Sequence, residues 1–122
     1  MAEPDLAGRR ILVVEDEYLL ADELRAELVD AGAVVVGPVG TLTGALALVG
    51  ETSGLDGAIL DLNLGGEPAY PVADLLIERG VPLIFATGYD EASILPRFAH
   101  VPRCEKPVSL ARIRRALSGV MA

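Results

Sequence analysis

Five short apolar runs constrain this chain more than anything else in it. They are Arg10–Val14, Ala33–Val36, Gly57–Leu60, Val81–Ala86 and Val101–Cys104. Each is long enough for a strand and too short for a helix. Helical spacing fills the gaps. Leu20, Leu24, Leu28 and Ala31 share one face, and Gly32 is placed to stop that helix. Leu42, Ala45, Leu46 and Val49 form a second helix, capped by Thr41 or Thr43. Pro71 opens a third, carrying Val72, Leu75, Leu76 and the stem of Arg79, and Gly80 ends it. Asp90–Leu95 leaves room only for a short helix before Pro96. Ser109 caps the last, with Leu110, Ile113, Leu117 and Val120 on one side. Strands that are apolar throughout are buried on both faces. Their alternation with helices predicts an α/β fold, a parallel sheet covered on both sides.

The chain has 122 residues, without repeats, linker or low-complexity segment, so one domain over 1–122 is expected, with no separate output domain. Ala31–Gly50 carries no charge and is long enough to raise a membrane span. Gly32, Gly37, Pro38, Gly40 and Gly44 punctuate it, which predicts a strand, a break at Gly37-Pro38 and a helix instead. The first residues lack a signal-peptide pattern, and a lone cysteine, Cys104, forms no intrachain disulfide. A cytoplasmic protein without membrane attachment is expected. A net charge of −8 argues against direct nucleic-acid binding. Of the ten basic residues, only Lys106 is a lysine.

In open parallel sheets, functional groups gather at the carboxyl ends of the strands. Here those ends offer Glu15 and Asp16, then Asp61, Thr87 and Lys106; the second offers only Gly37-Pro38, as for an edge strand away from the site. Clustered carboxylates repel one another, and burial raises the cost. A hard divalent cation relieves this, and an oxygen-rich set without a His or Cys cluster favours Mg²⁺. An Asp carboxylate can attack phosphorus to form an acyl phosphate. A phosphoryl group of about −2 beside two acids makes about −4. Mg²⁺ and Lys106 return about +3. The Thr87 hydroxyl can donate to a phosphoryl oxygen.

Val13-Val14-Glu15-Asp16-Glu17, Leu60-Asp61-Leu62-Asn63, Ala86-Thr87-Gly88 and Glu105-Lys106-Pro107 resemble the four signatures of bacterial response-regulator receiver domains. The resemblance runs from about Arg10 to Val120. It implies a flavodoxin-like, doubly wound, five-stranded parallel sheet of order 2-1-3-4-5. It implies Asp61 as phosphoacceptor, Mg²⁺ held by Glu15, Asp16, Asp61 and the Asn63 backbone carbonyl, and Thr87 and Lys106 as readers of the phosphoryl group. It implies a cis Lys106–Pro107 bond. The donor would be a histidine kinase or histidine phosphotransfer protein, and the output would be binding to a further protein, as a monomer or a phosphorylation-dependent dimer. Beyond self-phosphorylation and slow self-dephosphorylation, no enzymatic activity is implied.

Phe85-Ala86-Thr87-Gly88-Tyr89 is similar to a subgroup with a Phe-Ala-Thr-Gly signature, whose members often stand alone and have a short or irregular fourth helix. Receivers usually carry an aromatic switch residue three positions before the lysine; here that position is Arg103, which makes Tyr89 the candidate replacement. Two other readings stand beside this one. Asp61-x-Asn63 with a lysine is also similar to haloacid-dehalogenase-type phosphatases, although their second Asp is replaced by Asn63. A non-phosphorylated docking module is the third. Several residues have plainer roles: Asn63 as a turn former, His100 as a loop or strand-edge residue, Cys104 as a small buried apolar group, and Arg112, Arg114 and Arg115 as a solvated helix face.

Overall fold

The computed structural model describes residues 6–88, 94–107 and 109–121. Its elements in chain order are β1 (Arg10–Val14), α1 (Tyr18–Asp30), β2 (Val34–Val39), α2 (Leu42–Glu51), β3 (Gly57–Asp61), β4 (Asn63–Leu64), β5 (Glu67–Pro68), α3 (Tyr70–Glu78), β6 (Leu83–Thr87), β7 (Arg103–Glu105) and α4 (Leu110–Met121). The main sheet is parallel, in the order β2-β1-β3-β6-β7. Counting only its strands, this is the flavodoxin-like 2-1-3-4-5 order. β4 and β5 form a separate antiparallel hairpin that the sequence reading leaves as loop.

Strand alternation splits the core into two layers. Leu12, Val14, Leu60 and Phe85 face Ala45 and Val49 of α2 and Val72 and Leu76 of α3. Ile11, Val13, Ile59 and Ile84 face Leu24 and Leu28 of α1 and Ile113 and Leu117 of α4. Each fully buried Leu or Ile contributes about 1.5–3 kcal/mol. The sheet centre is therefore closely packed, and it positions the strand ends. Thr41, of the two expected caps, accepts from the Gly44 N–H at 3.0 Å. Ser109 Oγ accepts from the Arg112 N–H at 3.3 Å.

Several boundaries differ from expectation. β2 continues through Gly37-Pro38 to Val39. An edge strand tolerates a proline, because the missing N–H faces no neighbour. A shift of register between Leu12 and Val14 absorbs the extra residue. Gly37 adopts φ +94° there, and a Cβ would lie 2.9 Å from the Val13 carbonyl oxygen. Gly50 lies inside α2 rather than opening a turn. β6 and β7 start and end slightly later than the apolar runs that mark them. Of the short helix expected over Asp90–Leu95, positions 90–93 lie outside the described residues, and Ile94 and Leu95 are not helical. Pro96–Phe98 forms one 3₁₀ turn. The uncharged segment over 31–50 is a strand and a helix, and no described helix is long and apolar enough to cross a membrane.

Candidate functional site

β1, β3 and β6 are adjacent, so their carboxyl ends lie side by side. Glu15 follows β1, Asp61 ends β3 and Thr87 ends β6; all three are buried. β7 runs beside β6, and the Lys106 N–H donates to the Thr87 carbonyl at 2.6 Å. That bond swings the lysine back over the sheet. Its Nζ lies 2.9 Å from Asp61 Oδ2, 3.4 Å from Glu15 Oε2 and 3.5 Å from Glu17 Oε1. The Lys106–Pro107 bond is cis, as the resemblance implies.

The acids are held by backbone as much as by charge. The Glu17 N–H donates to Glu15 Oε2 at 3.0 Å, and the Asn63 N–H to Asp61 Oδ1 at 3.0 Å. The Gly65 N–H donates to Asp16 Oδ2 at 2.9 Å. Asp16 is exposed, so the cluster is buried on two sides and open on the third. Burial pushes the Glu15 carboxyl up to about 8, with the Asp61 charge adding to it against the Glu17 N–H. At Asp16 burial is outweighed, chiefly by the Gly65 N–H, and the carboxyl is held below its usual range. Burial likewise opposes the Lys106 charge, but the Asp61 bond and the surrounding carboxylates hold the ammonium above its usual range.

One oxygen from each of Glu15, Asp16 and Asp61 lies within 4.8 Å of the others. Glu15 Oε1 is buried without a hydrogen-bond partner. An all-oxygen set with an unsatisfied buried carboxylate oxygen and one open side fits Mg²⁺, which keeps several waters. A bound Mg²⁺ would supply positive charge where phosphoryl oxygens gather.

No family model matches the chain. Over 83 residues it is 39% identical to the phyllosphere-induced regulator PhyR of Methylorubrum extorquens, a match covering 66% of this chain and 31% of that protein. The chain thus spans about a third of the curated relative it matches. It superposes on the solution structure of SdrG from Sphingomonas melonis Fr1 with a TM-score of 0.81, 41% identity and complete coverage of both chains. The chain belongs to the response-regulator receiver family. The receiver domain of Erythrobacter litoralis PhyR also matches, with a TM-score of 0.79 and 25% identity, over 94% of this chain and 91% of that one.

A receiver accepts a phosphoryl group and acts by reversible self-phosphorylation, not by turning over a separate substrate. The Glu15–Asp16–Asp61 cluster resembles the family's Mg²⁺ and phosphoaspartate site. The phosphatase-like alternative lacks its second acid. Asn63 stands there, and its Oδ1 accepts from the Gly66 N–H at 2.7 Å as a turn former.

The structure brings together Glu15, Asp16, Asp61, Thr87 and Lys106, and seats Asn63 beside Asp61. It does not bring in Arg103, which is exposed on β7, in register with Phe85. Tyr89 lies outside the described residues. The strand-2 end is not remote from the site: the Val39 carbonyl accepts from the Glu15 N–H at 3.0 Å. This bond needs the strand to pass Pro38. His100 is an exposed turn residue, as expected, and Cys104 is only half-buried. Arg114 is not simply solvated, since it pairs with Glu27 at 3.1 Å and ties α4 to α1. Sequence reasoning missed the roles of Glu17 and Gly65. Their signal was position alone, directly after Asp16 and in the turn after Asp61.

Proposed function

We propose that Asp61 takes a phosphoryl group from a phosphohistidine on a histidine kinase or histidine phosphotransfer protein. The observation that carries this reading is the single lysine of the chain, held 2.9 Å from Asp61 Oδ2 and beside Glu15. An Asp61 carboxylate oxygen attacks phosphorus, the P–N bond breaks, and the imidazole leaves with its electron pair and takes up a proton. Lys106 neutralises phosphoryl charge, and the Thr87 hydroxyl donates to a phosphoryl oxygen. Glu15, Asp16, Asp61 and the Asn63 backbone carbonyl are the residues that would hold Mg²⁺.

Residues 1–122 constitute one receiver domain in this reading, of the Phe-Ala-Thr-Gly subgroup through Phe85-Ala86-Thr87-Gly88. Output is binding to a downstream protein in the cytoplasm, by a monomer or a phosphorylation-dependent dimer. Tyr89 takes the place of the aromatic missing at Arg103. Tyr89→Phe and Tyr89→Ala should then weaken phosphorylation-dependent partner binding; binding left intact in both removes Tyr89 from the switch.

The central test is intact mass after incubation with Mg²⁺ and acetyl phosphate. Wild type gains one phosphate and Asp61→Ala gains none. Phosphate on Asp61→Ala, or none on wild type, overturns the assignment.

A further inference from the structure

The three acids of the cluster are fixed to different degrees. Glu15 and Asp61 are buried, and Lys106 contacts both. Asp16 is exposed, and the third contact of Lys106 goes to Glu17. Yet each of the three carboxylates has one oxygen taken by a backbone N–H: Glu15 Oε2 by Glu17, Asp61 Oδ1 by Asn63 and Asp16 Oδ2 by Gly65. The first two donors lie two positions further along the chain from their acids, so local turns supply them. The third bond spans 49 positions, from the β3–α3 connection to the residues after β1.

The sequence of that connection builds the donor. Gly65 and Gly66 have φ of +61° and +93°, and a two-residue I′ hairpin turn needs positive φ at both central positions. Leu64 pairs with Glu67 across the turn, and Asn63 with Pro68. Asn63 Oδ1 accepts from the Gly66 N–H at 2.7 Å and closes the turn from its own side chain. Leu64 is buried in the layer that faces α2 and α3, and the Ala69 N–H donates to the Leu62 carbonyl at 2.9 Å. The hairpin is thus anchored at its base, and its tip reaches Asp16 at 2.9 Å. A Cβ at Gly65 would meet nothing within 4 Å, so backbone conformation rather than space calls for glycine there.

We infer that Gly65 is a positioning residue for Mg²⁺ binding: the hairpin turn presents its N–H to Asp16 and holds the acid of the cluster that burial does not fix. The inference rests on Glu15, Asp16 and Asp61 being the metal-binding acids. An exposed carboxylate samples several rotamers, and ordering it when the ion binds costs affinity. A hydrogen bond to one oxygen removes that cost beforehand and leaves the other oxygen as the ligand. Asp61 and Gly65 therefore act on one ion from the same connection, Asp61 directly and Gly65 through Asp16.

Mg²⁺ titration of the full chain tests this, followed by amide chemical shifts, which read weak binding as well as strong. Replacing Gly65 by glycolic acid exchanges the N–H for an ester oxygen and keeps the backbone length. The ester should weaken Mg²⁺ binding about tenfold. In an Asp16→Ala background the carboxylate that the N–H holds is gone, so the same ester should change the remaining affinity less than about twofold. Gly65→Asn keeps the N–H and adopts the left-handed conformation, and it should bind Mg²⁺ as wild type does. Unchanged affinity in the ester overturns the positioning role and leaves the metal-binding acids standing. So does an equal loss in the two backgrounds, or a loss in Gly65→Asn as large as in the ester. If wild type binds no Mg²⁺, the metal reading of the cluster falls and takes the inference with it.

Discussion

Lys106 Nζ sits 2.9 Å from Asp61 Oδ2, and this pair joins the end of β3 to the connection after β7. The two residues are 45 positions apart, and only the parallel sheet order places them together. Asp61 is buried, as is Glu15 beside it, while the lysine keeps 19% of its side chain exposed. Among the described residues, Lys106 places a positive charge beside both.

Lys106→Met should therefore destabilise the metal-free protein. Removing one partner of a buried pair costs about 3–5 kcal/mol, and the partial exposure of Lys106 brings the expected loss to about 2 kcal/mol. Urea unfolding in EDTA at pH 8 measures it. Mg²⁺ should return most of the loss by supplying the missing charge. A loss of the same size with and without Mg²⁺ would contradict the charge argument.

Glu15 predicts a pH dependence. Its folded-state carboxyl is raised to about 8 from an ordinary 4.5. Between these values the folded protein holds a proton that the unfolded chain has released, so metal-free stability falls as pH rises through this window. Glu15→Gln carries no such proton. In EDTA the variant should match wild type near pH 5 and exceed it by roughly 2–4 kcal/mol near pH 8.5. Mg²⁺ binds the ionised carboxylate, so binding to wild type at pH 7 should release close to one proton. Calorimetry in buffers of different ionisation enthalpy counts that proton, and Glu15→Gln should bind Mg²⁺ at least about tenfold more weakly.

Thr87 is buried at the end of β6, and its backbone carbonyl holds Lys106. Thr87→Val preserves shape and loses the hydroxyl. Phosphate should still reach Asp61, because the acceptor, the acids and the lysine are intact. Phosphorylation-dependent partner binding should vanish. Thr87→Ser should keep it. The pair separates the hydroxyl from the packing of the side chain, and full binding by Thr87→Val would remove Thr87 as the reader.

Much of this was legible in the chain. Val13, Ile59 and Ile84 sit in almost wholly apolar runs, and such runs belong to strands covered on both faces. Each run also ends on a polar residue, so the positions of Glu15, Asp61 and Thr87 mark the site in the sequence itself. What stayed hidden was carried by backbone. The Gly65 N–H on Asp16 and the Val39 carbonyl on the Glu15 N–H use no side chain of their own, so no residue type announces them. The β4–β5 hairpin has two-residue strands, too short to show alternation. The Tyr70–Phe98 stack joins residues 28 positions apart whose types alone read as ordinary core. Gly37-Pro38 misled for a different reason. A glycine and a proline usually end a strand, but at the sheet edge the proline costs no hydrogen bond.

That last junction yields a test of how far the site depends on β2. Gly37 has φ +94°, and an added Cβ would meet the Val13 carbonyl oxygen at 2.9 Å and the Val39 nitrogen at 3.0 Å. Both neighbours are backbone, in a strand of the sheet and next to the bulge, so neither can yield cheaply. Gly37→Ala combines a left-handed conformation with this clash and should cost about 2–3 kcal/mol. The damage should not stop at stability. Val39 accepts from the Glu15 N–H, so a displaced Val39 frees the backbone that carries a metal-binding carboxylate. Mg²⁺ affinity should drop several-fold in Gly37→Ala at a temperature where the variant is still folded. Gly50 lies inside α2, and a Cβ there would meet nothing within 4 Å, so Gly50→Ala serves as the control and should leave Mg²⁺ affinity unchanged. Equal Mg²⁺ affinity in the two folded variants would show that the β2 bulge supports the fold alone.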